Sequence, residues 1–311
     1  MNGKKILITG GLGNLGSWLT MHFSKEFDIY VLSKNAVESL DVKYTLIQAD
    51  ITNIKELEEQ LSIDFDYCIH TASYNEFFHE NYPKNALLIN SLGTRNLIEV
   101  LKNKNIKNFI YLSTFHVYGK NNGHITENTN LMPLNDYAST HLFAEYYIKQ
   151  FFQTDDFPFT IFRLTNSYGA PKYHNSSKWY LVLNDLVKGA YINNEITLKG
   201  NGKATRDFIW MGDVCSIIEK SLILNPNENN IFNLSSNTCK SMLELAKKVQ
   251  NVYINRYKKN IDIILNENDT TMSLNLNVCN NKVKTLLDFT IRDEFENEIN
   301  KIFDLLEDNH E

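Results

Sequence analysis

Short apolar runs separated by polar, glycine-bearing turns dominate the first half of the chain. Lys5-Ile6-Leu7-Ile8-Thr9 is bounded by glycines, and Leu15, Trp18, Leu19 and His22-Phe23 then recur at helical spacing, which predicts strand, turn, helix. The alternation repeats. Residues 28–32 and 44–47 read as the second and third strands, and Ile54 to Leu61 as a helix with Glu56, Glu58 and Glu59 outward. Residues 67–70 read as a fourth strand, Ala86 to Lys102 as a helix, 108–112 as a fifth strand, Tyr137 to Phe152 as a long helix and 159–163 as a sixth strand. Strands alternating with helices of ten or more residues predict a parallel sheet with right-handed crossovers, an α/β doubly wound fold whose ligands sit outside the carboxyl ends of the strands.

After Gly169 the pattern becomes irregular, with a turn at Lys199-Gly200-Asn201-Gly202-Lys203, a helix near Ser241 to Val252 and a last helix near Arg292 to Leu306. No internal repeat or low-complexity linker is visible. A chain of 311 residues can bury one large core and a smaller one. The expected division is a cofactor domain over 1–168, with 205–235 returning to it, and a smaller α/β substrate-binding region over 169–204 and 236–311.

The turn between the first strand and first helix reads Thr9-Gly10-Gly11-Leu12-Gly13-Asn14-Leu15-Gly16. Glycines there permit positive φ, let the backbone approach a pyrophosphate and let the helix pack on the sheet, while the helix start offers free N–H groups to phosphates. Gly10, Gly11, Gly13, Asn14, Leu15 and Gly16 are therefore expected to hold a nicotinamide dinucleotide (a Rossmann arrangement). The second strand ends in Ser33-Lys34 with no carboxylate for a ribose 2′-hydroxyl, so NADP is slightly favoured over NAD, and Asp50 with Ile51 is expected beside the adenine.

Composition narrows the classes. The chain is 43% hydrophobic and 22% charged, with 18 Phe and 16 Tyr, as a folded enzyme-sized protein is. The formal charge of −6 and the scatter of Arg95, Arg163, Arg206, Arg256 and Arg292 argue against a nucleic-acid partner. No run reaches the ~20 apolar residues of a membrane span, and the first residues lead straight into a strand, so a cytoplasmic location is expected. Cys68, Cys215, Cys239 and Cys279 lie far apart with no Cys-x-x-Cys or nearby histidine spacing, and neither a metal site nor a disulfide framework is expected.

Seven matches in order resemble the extended short-chain dehydrogenase/reductase family, the NAD-dependent epimerase/dehydratase group that modifies nucleotide sugars. They are the Thr9-to-Gly16 turn, Asp50, His70-Thr71-Ala72-Ser73, Asn90-x-x-Gly93-Thr94-x-Asn96, Leu112-Ser113-Thr114-x-x-Val117-Tyr118-Gly119, Tyr137 with its helix together with Arg163-x-x-Asn166-x-Tyr168-Gly169, and Gly200-x-Gly202-x-x-x-Arg206-Asp207-Phe208-Ile209. The resemblance implies cofactor contacts from Thr71, Ala72, Ser73, Asn90, Tyr137 and position 141. It implies catalysis by Thr114 and Tyr137, the tyrosine exchanging a proton with a sugar oxygen, and substrate contacts from Thr114, Asn166 and Arg206. A homodimer packed through helices 86–102 and 137–152 is implied by the same likeness.

The family's lysine four residues after the tyrosine is His141 here. Positions i and i+4 share a helix face, so His141 takes the lysine's place as a shorter group expected to be partly charged near pH 7. His116 stands where related 4-keto-sugar epimerase-reductases carry a second acid/base group, with His174 and Lys178 as further candidates. The 4,6-dehydratases have an Asp-Glu pair where this chain has Phe115-His116, which disfavours dehydration. No arginine occurs in Thr270-Thr271-Met272-Ser273-Leu274-Asn275, where the family often has one, so a nucleoside monophosphate-linked sugar stays open. The expected activity is an NAD(P)-dependent keto-sugar reductase or epimerase. A nucleotide-sugar dehydrogenase with tightly held NAD, or a non-catalytic NAD(P)-binding protein, are the alternatives.

Overall fold

Ile6, Leu7 and Ile8 are all fully buried although neighbours on a strand face opposite ways, so the first strand is covered on both faces, as a parallel sheet with helices on each side requires. The computed structural model describes residues 3–35, 40–76, 78–173, 178–224 and 230–308. In order the chain forms β1 (Lys5–Thr9), α1 (Asn14–Phe23), β2 (Asp28–Ser33), β3 (Thr45–Gln48), α2 (Ile54–Gln60) and β4 (Tyr67–His70). Next come α3 (Tyr82–Ala86), a π-helical stretch over Leu87–Gly93 that runs into α4 (Thr94–Leu101), β5 (Asn108–Thr114), a 3₁₀ turn at Phe115–Tyr118, β6 (Gly123–Ile125), α5 (Asp136–Asp155) and β7 (Phe159–Leu164). The remainder is β8 (Asn166–Tyr168), α6 (Val182–Asn193), β9 (Glu195–Thr197), β10 (Thr205–Trp210), α7 (Met211–Ser221), β11 (Asn230–Leu234), β12 (Cys239–Ser241), α8 (Met242–Tyr257), β13 (Asp262–Ile264), β14 (Leu276–Val278), α9 (Asn281–Leu287) and α10 (Phe295–Glu307).

Seven parallel strands form the main sheet in the order β11-β7-β5-β4-β1-β2-β3. The strand order reverses between β1 and β4, the point at which a doubly wound sheet opens a crevice. One apolar core lies under α1, α7 and α9, and a second under α2, α4 and α5. A third joins α6, α8 and α10 outside the main sheet. The helix α8 begins with a reciprocal capping box, Ser241 with Glu244, which satisfies two amides that the helix start leaves open.

The expected helix over 86–102 is the π-helical stretch and α4 in succession, and β11 with α7 fills ground that carried no strand or helix expectation of its own. Only Thr165 separates β7 of the main sheet from β8 of the smaller one, where β8 runs parallel to β10 and β12 antiparallel to it.

Candidate functional site

A cavity of about 910 Å³ opens at the carboxyl ends of the main-sheet strands, bounded by the segments after β1, β2, β3, β4, β5 and β7. Its floor is the first turn. Gly10 has φ +66°, and a Cβ on Gly16 would fall 1.9 Å from the Gly10 carbonyl oxygen, so any side chain there would push α1 off the turn. The helix starts at Gly13 without a side-chain cap; the Gly13 amide donates to the Gly10 carbonyl at 2.8 Å, while Asn14, Leu15 and Gly16 line the cavity with amides that an anion can accept from. Asn14 Oδ1 is buried there without a hydrogen-bond partner. Gly11 departs from the expectation of a ligand contact: a Cβ on it would meet Thr20 and Val31, so its place is the packing of α1 on β2, away from the cavity.

Ser33, Lys34, Asp50 and Ile51 lie at one end of the cavity, and Thr71, Ala72 and Ser73 along its side. Lys34 Nζ is 2.8 Å from Asp50 Oδ2, while Asp50 Oδ1 accepts from the Thr52 amide and hydroxyl. Partial burial works against the Asp50 carboxylate, yet the bonds from Lys34 and Thr52 hold its pKa below the usual range. The cation expected to await a 2′-phosphate is therefore already matched by a carboxylate.

Asn90 also departs from its expected role. It is 1% exposed, its Oδ1 accepts from the Tyr74 amide at 2.6 Å, and its Nδ2 donates to the Tyr74 carbonyl and to Thr140 Oγ1. It ties the segment after β4 to α5 from behind the cavity wall. The neighbouring His70 does the same for the turn: Thr94 Oγ1 donates to the Asn90 carbonyl and so accepts from His70 Nε2 at 2.9 Å. Thr9 Oγ1 accepts from the Ala72 amide and so donates to His70 Nδ1. Burial pushes the His70 pKa down to about 3.

Thr114 ends β5, His116 sits in the 3₁₀ turn, and Tyr137 and His141 stand one helical turn apart at the start of α5, all four on the cavity. The Thr114 hydroxyl accepts from the His116 amide at 3.2 Å and lies near the Tyr137 phenol. Burial raises the Tyr137 pKa to about 12, against the opposing pull of the nearby Thr114 hydroxyl. The His141 ring meets Tyr137 edge-on at 4.5 Å between centroids, and the His116 ring does so at 6.3 Å. His141 is 2% exposed, and burial pushes its pKa down to about 4. The expectation of a partly charged His141 is thus corrected: the ring is neutral near pH 7 and supplies no cation to the phenol. Its Nδ1 is 2.6 Å from the Tyr111 hydroxyl, and Nε2 is buried without a partner. Partial burial and the nearby Arg206 guanidinium hold His116 below its ordinary pKa.

Behind β5 lies a charged support centred on Glu145, a residue that no motif in the sequence marks. Glu145 receives Arg163 Nε at 3.0 Å, Arg163 Nη2 at 2.7 Å and the Ser113 hydroxyl at 2.7 Å, all buried. At the far end of the cavity stand Asn166, whose amide donates to the Asp207 carbonyl, together with Arg206, Lys178, Tyr180 and Tyr82. His174 lies outside the described residues. Among the described residues no group of three His, Cys, Asp or Glu is placed to hold a metal ion, and no helix is long and apolar enough to cross a membrane. The lining drawn from the ends of six strands, the uncapped helix start on the floor and the two buried polar atoms without partners, Asn14 Oδ1 and His141 Nε2, fit a dinucleotide lying across the sheet ends.

The model of the NAD dependent epimerase/dehydratase family matches residues 6–235. The chain belongs to that family. Among related members, dTDP-D-glucose 4,6-dehydratase of Dictyostelium discoideum is 30% identical over 280 residues, an alignment that takes in 81% of this chain. The aligned stretch spans 62% of that relative's length. Solved structures of the same build include the epimerase Mth375 of Methanothermobacter thermautotrophicus, with TM-score 0.83 and 20% identity over 99% of this chain and 93% of that one. UDP-glucuronic acid 4-epimerase from Bacillus cereus, in complex with UDP-glucuronic acid and NAD, superposes with TM-score 0.78 and 20% identity over 98% of this chain and 99% of that one. At these identities the structural likeness establishes a family member's Rossmann-like architecture.

Proposed function

We propose that this family member is an NAD-dependent oxidoreductase that acts on a nucleotide-activated sugar, as an epimerase or keto-sugar reductase. The observation that carries this reading is the placing of Thr114 and Tyr137 together on the cavity wall, at the end of the sheet strand that a dinucleotide on the Gly10–Gly16 floor would cross. A bound nicotinamide supplies a site that accepts a hydride from a sugar carbon and returns it. Tyr137 takes the proton of the sugar hydroxyl as the carbonyl forms and gives it back on reduction, and Thr114 steadies the shared oxygen. His116, held neutral, is a base suited to proton exchange on a carbon beside a ketone. Asn166 and Arg206 take the nucleotide phosphates, the guanidinium binding an anion through its planar fork. Phe115 and His116 offer no carboxyl acid to protonate a departing hydroxide, which argues against dehydration although dehydratases are among the relatives.

NAD rather than NADP is supported by the Lys34–Asp50 pair, since a 2′-phosphate would have to displace Asp50 from Lys34, and by the NAD bound in the Bacillus cereus epimerase. The exposed Leu87, Leu92, Phe143 and Tyr146, on the π-helical stretch and α5, support a homodimer formed through these helices, which sedimentation velocity tests.

One observation favours a second reading, a cofactor-binding protein without turnover: His141 is uncharged, so the phenol lacks the cation that would activate it. Mass spectrometry of ligand released from purified protein, followed by NMR of UDP- and dTDP-sugars mixed with NAD and of their 4-keto forms mixed with NADH, separates the two. An inverted or reduced sugar supports the enzyme; bound NAD with every sugar unchanged supports the second reading; no uptake of either nicotinamide form at millimolar concentration sinks both.

A further inference from the structure

We propose that Tyr111 is a positioning residue that fixes the tautomer of His141, so that the ring presents Nε2–H as a hydrogen-bond donor at the cavity wall. The proposal rests on the reading above that a dinucleotide occupies this cavity, and it names how a histidine does there what a longer cation would otherwise do.

The argument is an accounting of buried protons. Tyr111 is 2% exposed and His141 also 2%, and the 2.6 Å contact between the Tyr111 hydroxyl and His141 Nδ1 is the hydrogen bond that each ring makes. If Nδ1 carried the proton and donated to Tyr111, the phenol proton would have no acceptor and Nε2 would be a bare lone pair, leaving two buried groups unsatisfied. If Tyr111 donates to Nδ1, the proton sits on Nε2 and a single group is left over. Unsatisfied buried polar groups are costly, so the second arrangement prevails.

The residue that carries this leftover donor lines the cavity. His141 lines it beside Tyr137, and Nε2 is one of three buried side-chain polar atoms without a partner among the described residues. A hydroxyl of bound ligand would supply the missing acceptor. The orientation of Tyr111 is itself held: its ring stacks on His70 at 5.5 Å with 27° between planes, and both His70 nitrogens are engaged by Thr9 and Thr94. Burial keeps the Tyr111 phenol protonated and therefore a donor.

The test reads the tautomer directly. Protein carrying ¹⁵N-labelled histidine, without cofactor at pH 7, should give a His141 spectrum with a protonated Nε2 and an unprotonated Nδ1, assigned by its disappearance in His141→Gln. A protonated Nδ1 in the wild type overturns the proposal, whether or not any variant folds. Tyr111→Phe should mix the two tautomers and weaken NAD binding, read by fluorescence titration, by about tenfold, the worth of one hydrogen bond. In a His141→Lys background the same Tyr111→Phe change should leave the Kd within about twofold, because an ammonium has no tautomer to set. An equal loss in both backgrounds would mean that Tyr111 acts through packing, and the proposal falls. Wild-type protein that shows the Nε2–H signature yet takes up no NAD would sink the cofactor reading and leave the tautomer assignment standing.

Discussion

Lys34 and Asp50, from the ends of β2 and β3, form an ion pair of 2.8 Å that spans one end of the cavity. Asp50→Ala should release Lys34 toward a 2′-phosphate and shift the ratio of NADP to NAD affinity upward by roughly tenfold, an amount typical of one charge-assisted bond at a partly exposed site. Parallel titrations of both cofactors check this, and an unchanged ratio would place the 2′ position elsewhere.

If the phenol is the proposed acid and base, Tyr137→Phe should lower kcat by about 10²–10⁴-fold while the cofactor Kd stays near its wild-type value. Thr114→Val should cost less. Steady-state kinetics together with fluorescence titration separate the two effects.

The pH dependence of kcat/KM follows from the same phenol. With a pKa raised to about 12, the deprotonated base is scarce near neutrality and its fraction grows tenfold per pH unit, so the rate should climb throughout the alkaline limb. His141→Lys puts a cation beside the phenol, which lowers its pKa, and should move that climb to lower pH. A flat profile in both forms would show that Tyr137 does not carry the proton.

Stability should fall on mild acidification. His70 and His141 have folded pKa values of about 3 and about 4 against 6.5 for the free side chain, so between these limits the unfolded chain binds more protons than the folded one. Each ring's contribution is intact above pH 6.5 and is lost as the pH falls toward its folded pKa, on the order of 2 kcal/mol per ring by pH 5. Urea denaturation at pH 7 and pH 5 measures the loss, and His141→Gln should lessen it.

Arg163→Met should destabilise the fold by roughly 3–5 kcal/mol, since Glu145 would be left charged and buried. Combining it with Glu145→Leu should recover most of that loss, a non-additivity readable in the same denaturation series.

Much of this architecture is legible in one dimension because it depends on local periodicity. The strands of residues 5 to 164 that build the main sheet fall within two residues of their expected ends, and the glycine turn sits where a β1-to-α1 connection must bend. The π-helical stretch was not legible: Leu87, Leu88, Ile89 and Leu92 satisfy a 3.6-residue period about as well as a wider one. The contacts that set the chemistry were hidden for a different reason. Tyr111 reads as one more apolar strand residue, and its partner lies 30 positions away on another element; Thr9 and His70 are 61 apart. The neutrality of His141 likewise depends on burial, which no spacing reveals.

With both nitrogens of His70 committed, one to the threonine that precedes the glycine turn and one to the first residue of α4, a single imidazole rivets two segments that come from opposite faces of the sheet. That half of the cleft cannot widen without stranding a buried ring.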